Sequence, residues 1–370
     1  MPIFPSIANS WPDMPGNPMH QGDTAPSKIL IVRLSAIGDV IMASALIPAL
    51  RLRFPEAQLF WLTEEVNEGL LRHHPRLDGL FIWPRRRWRQ LRRKKHYQAW
   101  LGEARQLIRT LRAEHFDLVL DLQGLLKSGL WAWLAGGKVR IGLGSREGSQ
   151  LLMSRVIDRR SDSQRIGKEY LTLARELGYQ GDDFPMDIAP SAAEYAEAEA
   201  LLGQSGVTGR FAVIAPFTTR PQKHWFDERW AELAQRIAIE RHLPVVVLGG
   251  PMDRERAAAI AARSPGLLNL AGQTSLGQCA ALIARAHLLI GVDTGLTHLG
   301  TAMGTPTLAL FGSTRPYLDA GTATTKVLYE PLPCSPCRRR PTCHGEFTCM
   351  RLHTVDHVLT AANDILEMTA

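Results

Sequence analysis

The chain has 370 residues, of which 45% are hydrophobic and 21% are charged, and its formal net charge is +7. This length is too great for one ordinary core, so two domains are expected, and the composition is typical of a soluble globular protein. No apolar run approaches the ~20 residues of a membrane span, and the N-terminus lacks a secretory signal, so the sequence predicts a cytoplasmic protein.

The first half of the chain alternates between apolar runs and helical patterns. Residues 1–27, rich in Pro, Gly, Ser and Asn, are expected to form a disordered tail. Residues 28–182 are expected to form the first domain, which includes a long polar loop at 144–160. The predicted strands are 28–34, 58–63, 79–83, 116–122 and 139–143. The predicted helices are 40–53, 97–112, a stretch after 124 that runs through 135, and 165–178.

The second half repeats this alternation after a stretch with two prolines, 182–190, which is expected to be a linker. A second domain is expected at 190–350 and a C-terminal helix at 351–370. The predicted helix 192–203 is followed by predicted strands at 211–216, 244–249, 287–292 and 305–311. Strands that alternate with helices predict parallel sheets covered by helices. The expected fold class is therefore α/β, with two Rossmann-like, doubly wound domains and a central cleft.

The stretch 293–298 follows a predicted buried strand and opens a helix. In an open α/β sheet, ligands bind at the carboxyl ends of the strands, and the start of a helix favours an anion. Gly295 allows a phosphate to approach the backbone closely, and Thr294 adds a hydroxyl donor. The pattern indicates either a phosphate site or a well-capped helix after a core strand.

The loop 217–225 ends another predicted strand at the same edge. It contains Thr218, Thr219, Arg220 and Lys223, and cations combined with hydroxyls suit a diphosphate. The chain contains no Walker A loop, which argues against a nucleoside triphosphatase.

Two acidic residues follow the next predicted strand, in the loop 249–255. Glu255 or Asp253 is a candidate to bind ribose hydroxyls, as acidic residues do in doubly wound folds. A surface turn with solvated charges explains the same pattern.

Asp39 lies between the first predicted strand and the first predicted helix. An acidic residue at this place commonly caps a helix. It also lies at the carboxyl edge of the first sheet, where a carboxylate can act as a general base. Both interpretations remain open from position alone.

A dense basic run follows Pro84 and carries much of the excess positive charge. Its members are Arg85, Arg86, Arg87, Arg89, Arg92, Arg93, Lys94 and Lys95. Three interpretations compete: a solvated helix face, a nucleic-acid site with nearby aromatic residues, or a site for an anionic acceptor or membrane surface.

Taken together, these stretches resemble glycosyltransferase family 9, the heptosyltransferases of lipopolysaccharide synthesis. The matching segments lie in the family's order and are 29–39, 83–88, 116–128, 215–225 and 293–298. Within the family, the chain is most similar to the enzymes that add the first heptose of the inner core. The resemblance implies a GT-B fold, an ADP-heptose donor and an inverting transfer without a catalytic metal. It also implies a Kdo–lipid A acceptor, reached peripherally at the cytoplasmic face of the anionic inner membrane, and no nucleic-acid partner.

The resemblance also implies roles for individual residues. Asp39 is expected to deprotonate the acceptor hydroxyl, Lys223 to stabilise the leaving diphosphate, and Asp293 to order the loop around the nucleotide or sugar. The expected donor ligands are Thr218, Thr219, Lys223, Glu255, Asp293, Thr294, Gly295 and His298. The expected acceptor ligands are Arg85, Arg86, Arg87, Arg89, Gln123, Lys127 and Arg146.

The chain departs from the best-known first heptosyltransferases near its C-terminus. Four cysteines, Cys334, Cys337, Cys343 and Cys349, crowd into a short Pro- and Arg-rich loop. This spacing suits tetrahedral thiolate binding of a structural zinc or iron ion. Reduced surface thiols are the alternative, and a disulfide pair is disfavoured in a reducing cytoplasm.

Two other functions remain open. Within the family, the acceptor is either Kdo–lipid A or another molecule, namely a later core sugar or a protein. From a different class, the chain is a nucleic-acid-binding α/β protein that uses the run 85–95. A melting temperature raised by ADP or ADP-heptose favours the transferase, and one raised only by oligonucleotides favours the binding protein.

Overall fold

The structure is a computed structural model that describes residues 25–160, 163–314, 316–337 and 340–369. Residues 1–24 of the predicted tail therefore lie outside the described residues. The end of that tail is packed rather than free. The backbone N–H and hydroxyl of Ser27 donate to Asp117 Oδ2 at 2.9 and 2.6 Å.

The first half of the described chain builds one parallel sheet. Its strands are β1 (Lys28–Val32), β2 (Gln58–Glu64), β3 (Gly79–Trp83), β4 (Leu118–Asp121), β5 (Val139–Leu143) and β6 (Arg155–Ile157). Its helices are α1 (Ile37–Ala43), α2 (Leu46–Arg53), α3 (Glu68–Leu71), α4 (Arg85–Arg93), α5 (Tyr97–Ala113), α6 (Leu126–Leu134) and α7 (Lys168–Glu176). The order across the sheet is β3-β2-β1-β4-β5-β6.

The second half builds a second parallel sheet of the same kind. Its strands are β7 (Ala212–Ala215), β8 (Val245–Val247), β9 (Leu268–Asn269), β10 (Leu288–Val292), β11 (Thr307–Phe311) and β12 (Thr325–Tyr329). Its helices are α8 (Ala192–Gln204), α9 (Asp227–Arg241), α10 (Arg254–Ala261), α11 (Leu276–Arg285), α12 (Gly295–Ala302), α13 (Thr348–Arg351) and α14 (Val355–Thr369). The order is β12-β11-β10-β7-β8-β9, so both sheets have the Rossmann order 3-2-1-4-5-6. The predicted α/β class with two doubly wound units is confirmed.

Two local predictions are wrong. The segment 144–160 is not one long loop, because β6 pairs in parallel with β5, with Ile141 opposite Arg155. This edge strand is short and mostly exposed, so it lacks the apolar run of a buried strand. The helix predicted at 40–53 begins earlier and is broken between α1 and α2. Pro48 lies in the first turn of α2 and has no N–H to continue the α1 hydrogen-bond series.

One apolar core lies between the two sheets and contains residues of both. Ile29 and Ile31 of β1 share it with Leu289 of β10 and Leu299 of α12. The predicted linker contributes buried residues such as Phe184 to this core, so the linker is packed against both halves. Separate cores cover the outer face of each sheet. The predicted limits of the two domains remain predictions.

The first turns of α1 and α12 touch, and glycines make this possible. A Cβ added at Gly38 would lie 2.6 Å from His298 Cδ2, and one added at Gly295 would lie 2.6 Å from Ile37 Cγ2. Larger residues at these positions would force the two helix ends apart. Asp39 therefore lies one residue from a direct contact with the second half.

Among the described residues, no helix is long and apolar enough to span a bilayer.

Candidate functional site

The predicted site residues follow the strands at which the order of each sheet reverses. Asp39 follows β1 and Gln123 follows β4, whereas Lys223 follows β7 and Asp293 follows β10. In doubly wound sheets, ligands bind in the crevice beside these switch points. The contact between α1 and α12 brings the two crevices together.

Asp293 is the centre of the second-half site. Its Oδ2 lies 2.5 Å from Lys223 Nζ and accepts a 2.6 Å hydrogen bond from the hydroxyl of Thr314. Its Oδ1 lies 3.5 Å from His298 Nε2, and His298 Nδ1 lies 3.0 Å from the hydroxyl oxygen of Tyr317. Burial alone would raise the pKa of Asp293, but the hydrogen bond from His298 and the charge of Lys223 lower it well below its usual range. Asp293 is therefore ionised and holds Lys223 and His298 beside the start of α12.

The other predicted donor ligands surround this cluster less tightly. Thr218 and Thr294 are half-buried, and Thr219 is exposed, so all three are at least partly accessible to a ligand. Thr294 caps α12 by position, but its side chain makes no capping hydrogen bond. Glu255 lies in the first turn of α10 and is exposed.

Buried neighbours hold the loop 217–225 in place. The indole N–H of Trp225 donates to the carbonyl of His353 at 2.8 Å. His224 Nδ1 accepts from Arg256 Nη1 at 2.5 Å. Burial and the charge of Arg256 lower the pKa of His224, which is therefore neutral at pH 7. These contacts present Lys223 at a defined position.

A cavity of about 200 Å³ opens beside Asp293 and His298. The segment 163–169 of the first half forms one wall, and Tyr317 lies on the other. Two backbone hydrogen bonds join the walls: Ile166 N–H donates to the Asp319 carbonyl at 2.8 Å, and Asp319 N–H donates to the Gln164 carbonyl at 3.2 Å. The cavity is therefore built from both halves of the chain.

Asp39 is held by a buried arginine in the first half. Arg33, whose side chain is 5% exposed, places Nη2 2.8 Å from Asp39 Oδ1. Arg33 Nη1 donates to the carbonyl of Leu122 at 2.9 Å. Asp39 Oδ2 accepts from the backbone N–H of Ala36 at 3.2 Å. The carboxylate is partly exposed, with 38% of its side chain accessible to solvent.

Two of the predicted acceptor residues, Arg85 and Lys127, contact an acidic residue that was not predicted. Glu64, at the end of β2, lies 3.1 Å from Arg85 Nη1 and 3.5 Å from Lys127 Nζ. The backbone N–H of Arg146 donates to the carbonyl of Gly124, which places Arg146 beside Gln123. Gln123 is buried, and its Oε1 accepts from the backbone N–H of Leu34 at 3.2 Å. Arg85, Gln123, Lys127 and Arg146 thus border one crevice.

The run from Arg85 to Arg93 forms α4, which was not among the predicted helices, and Lys94 and Lys95 follow its last residue. Arg87 Nη2 lies 2.6 Å from Glu103 Oε1 on α5, so it faces away from Glu64. Arg86 and Arg89 are exposed and form no ion pair with any described residue. Carboxylate oxygens of Glu65 accept the backbone N–H groups of Arg85 and Arg86 and cap the helix.

The four cysteines are free thiols. Cys337 Sγ lies 3.9 Å from the carbonyl of Ser313, and Cys349 contacts the neighbouring Gly312. No three His, Cys, Asp or Glu side chains among the described residues are placed to share a metal ion, and residues 338–339 of this segment lie outside them. The described arrangement does not by itself form the tetrahedral site that the spacing suggests.

Several site residues were missed because their partners come from distant segments. Thr314 and Tyr317 reach Asp293 and His298 only because the chain folds back after β11. Arg33 could have been predicted from the sequence, because a charged residue at the end of a buried apolar strand needs a partner. Glu64, which stands at the end of β2, could have been predicted for the same reason.

Comparisons with known proteins give consistent matches. The sequence profile of glycosyltransferase family 9 (heptosyltransferase) matches residues 104–347. Lipopolysaccharide heptosyltransferase 1 of Pseudomonas aeruginosa is 32% identical over 319 residues, which cover 85% of this chain and 86% of that protein. The structure of the glycosyl transferase family 9 protein from Veillonella parvula DSM 2008 superposes with a TM-score of 0.79 at 21% identity and covers 92% of this chain and 98% of that one. The structure of Escherichia coli heptosyltransferase WaaC with ADP-2-deoxy-2-fluoro heptose superposes with a TM-score of 0.68 at 26% identity. The match covers 91% of this chain and 99% of that one.

Proposed function

Because this chain belongs to glycosyltransferase family 9, the heptosyltransferases, we propose that it transfers heptose from ADP-heptose to the Kdo–lipid A inner core of lipopolysaccharide. The observation that carries this proposal is the pairing across the α1–α12 contact of a carboxylate site, Asp39, with a cationic site, Lys223. The relative solved with ADP-2-deoxy-2-fluoro heptose supports ADP-heptose as the donor.

The proposed reaction is a single inverting displacement. The Asp39 carboxylate takes the proton of the acceptor hydroxyl, and the acceptor oxygen forms a bond to the anomeric carbon of the heptose. The bond from that carbon to the β-phosphate oxygen breaks, and ADP leaves with the electron pair. Attack and departure on opposite faces of the sugar invert the anomeric centre.

The second-half site is suited to the leaving ADP. Lys223 and the free N–H groups at the start of α12 supply positive charge where the diphosphate gains negative charge. Thr218, Thr219, Thr294 and Gly295 supply hydroxyl or close backbone contacts, and Glu255 binds the ribose. We therefore propose that the transfer needs no catalytic metal.

The first-half crevice is suited to an anionic acceptor. Arg85, Arg86, Arg89, Lys127 and Arg146 provide cations for Kdo carboxylates and lipid A phosphates, and Gln123 adds a hydrogen bond. The exposed cations of α4 also favour an anionic surface. We propose that the protein works peripherally at the cytoplasmic face of the inner membrane.

We also propose that the segment with Cys334, Cys337, Cys343 and Cys349 binds one structural zinc or iron ion. The spacing supports this, as does the placement of Cys337 and Cys349 against adjacent backbone positions. Because the described thiols do not converge, metal binding requires this segment to rearrange. Elemental analysis of the purified protein should find about one metal ion per chain, and C349S should lower that content. Metal-free protein would exclude the site.

The reaction itself is tested with ADP-heptose and Kdo–lipid A. Release of ADP and an acceptor that gains one heptose are expected, with inversion seen by NMR and with activity retained in EDTA. Asp39→Asn should lower kcat by about 10²–10⁴-fold, and Lys223→Ala by about 10²–10³-fold. Lys326→Ala removes a lysine of a surface ion pair with Asp364 and serves as the matched control.

Three other outcomes would each contradict a different part of the proposal. Unchanged turnover of the Lys223→Ala variant would exclude its role at the leaving group. Loss of activity in EDTA that Mg²⁺ restores, and that zinc or iron does not, would contradict metal-free catalysis. Transfer only to a later core sugar or to a protein would keep the donor and change the acceptor.

A further inference from the structure

An exposed apolar stripe runs along α6, beside the basic helix α4. Leu126, Leu130 and Trp133 are 49%, 44% and 46% exposed. Their spacing places them on one side of the helix, opposite the buried Trp131 and Ala132. Leu151, 85% exposed, lies in the 3-10 turn Ser149–Leu152. This turn packs on α6, because a Cβ at Gly129 would lie 2.7 Å from Ser149 Cβ.

The apolar stripe and the basic run belong to neighbouring helices whose first turns approach each other. Trp131 of α6 packs against Trp88 of α4 with ring centroids 5.9 Å apart, so the two helices are neighbours. The first turns of both helices reach Glu64, through Arg85 on α4 and Lys127 on α6. Both helices therefore border the crevice that we assign to the acceptor.

The exposed charged residues of the neighbouring basic run, 86–95, are all positive. Arg86, Arg89, Arg92, Arg93, Lys94 and Lys95 are exposed. None of these six forms an ion pair with a described residue, whereas Arg85 and Arg87 do. Large apolar side chains with an interfacial Trp, next to a cluster of exposed cations, are typical of a surface that enters an anionic bilayer interface.

We propose that Leu126, Leu130, Trp133 and Leu151 enter the acyl boundary of an anionic phospholipid bilayer, while the exposed cations of the run 86–95 bind the headgroups. This inference deepens the proposed membrane contact, but it does not depend on the identity of the donor or the acceptor. It orients the protein with α6 and α4 toward the lipid. The acceptor crevice then opens at the depth where a lipid-anchored sugar emerges from the membrane.

The test measures binding of the purified full chain to vesicles, with no donor or acceptor present. Vesicles of phosphatidylcholine alone are compared with vesicles that also contain phosphatidylglycerol, at low salt and at about 1 M NaCl, where the Debye length is about 3 Å. The wild-type protein should bind the anionic vesicles and keep a salt-resistant fraction. The variant L126Q/L130Q/W133Q should lose that fraction and bind about tenfold or more weakly. The variant R93Q/K94Q/K95Q should lose mainly the salt-sensitive part.

Two further variants control for folding and report depth. L52Q/I239Q replaces exposed apolar residues on α2 and α9, 72% and 63% exposed, and should bind as the wild type does. Trp133→Phe should keep its binding. Lipids with brominated acyl chains should quench the wild-type tryptophan fluorescence but quench that of Trp133→Phe less. Matching circular dichroism melting curves establish that the variants fold.

Three results would overturn the proposal. The first is equal vesicle binding by the wild type and the α6 triple variant. The second is no difference in bromine quenching between the wild type and Trp133→Phe. The third is a wild-type dimer that becomes a monomer in the triple variant, which would show that a second copy covers this face. Vesicle binding without heptose transfer would instead leave this inference intact and refute the proposed reaction.

Discussion

At the residue scale, the ion pair between Arg33 and Asp39 fixes the geometry of the proposed base. Arg33 is buried at the end of β1 and also bonds the carbonyl of Leu122, so it cannot follow the carboxylate if Asp39 moves. Arg33 is therefore a positioning residue in the proposed mechanism.

Replacing Arg33 tests this role. Arg33→Met should lower kcat by up to about 100-fold, because a misplaced catalytic group costs that much, with a smaller change in KM for ADP-heptose. Arg33→Lys should restore part of the lost kcat, because it keeps a positive charge beside Asp39. A variant with lower stability but an unchanged kcat would assign Arg33 a structural role only.

Asp293 links the chemistry of the site to the stability of the fold. Asp293→Asn should lower the free energy of unfolding at pH 7 by about 3–5 kcal/mol, because Lys223 keeps its burial and loses its partner. The pKa of Asp293 lies well below the unfolded value of about 3.9. The stabilisation is therefore complete at pH values above about 5 and is lost as the pH falls below about 4 toward the folded value.

Urea unfolding of wild-type protein and Asp293→Asn across this pH range measures the difference. The difference in the free energy of unfolding between wild-type protein and Asp293→Asn should become smaller as the pH is lowered. Asp364→Asn, which breaks the exposed pair with Lys326, should cost less than about 1 kcal/mol at any pH. A constant difference between wild type and Asp293→Asn would contradict ionisation of Asp293 as the cause.

At the scale of elements, the strands with two buried faces were predictable, whereas three edge strands, β6, β9 and β12, were not predicted. The buried strands β1, β4, β7, β10 and β11 appear in the sequence as apolar runs, because both faces of each are covered. The edge strands β6 and β9 have three and two residues, and β6 is mostly exposed, so neither leaves a periodic signal.

The residues of the candidate site likewise include some that the sequence could predict and some that it could not. The sequence located Asp39, Lys223 and Asp293, because each follows a predicted strand at the edge where ligands bind. It did not locate Tyr317 or Thr314, since their roles depend on how a later loop folds back onto β10. Sequence patterns carry the position of a residue on an element, but not the contacts between distant elements.

The contact between α1 and α12 leads to a prediction at Gly38. Gly38→Ala should raise the KM for ADP-heptose and destabilise the fold by about 1–3 kcal/mol, because the new Cβ would displace His298. Helix propensity alone predicts the opposite sign, a gain of about 0.5–1 kcal/mol. Gly203→Ala in α8 is the matched control, since nothing lies within 4 Å of the added Cβ, and it should stabilise the protein. Stabilisation by Gly38→Ala would show that the two helix ends separate freely.

At the scale of the whole molecule, both halves of the chain position the candidate site, because they share one apolar core. The core contains strands of the first sheet, strands of the second and the predicted linker. The backbone hydrogen bonds of Asp319 with Gln164 and Ile166 add a second connection at the cavity. Asp39 and Asp293 are consequently positioned by the same packed interior, although one belongs to each sheet.

Leu299 tests this coupling, because it is fully buried on α12 within the shared core. Leu299→Ala should lower the free energy of unfolding by about 2–5 kcal/mol. Native-state hydrogen exchange should show faster exchange of the amides of β1 as well as those of β10, since both strands pack into that core. Leu359→Ala, in the core that contains only second-half residues, should speed exchange in β10 more than in β1. If Leu299→Ala loosened β10 and left β1 protected, the two halves would be independent, and the alignment of Asp39 with Lys223 would need substrate binding to form.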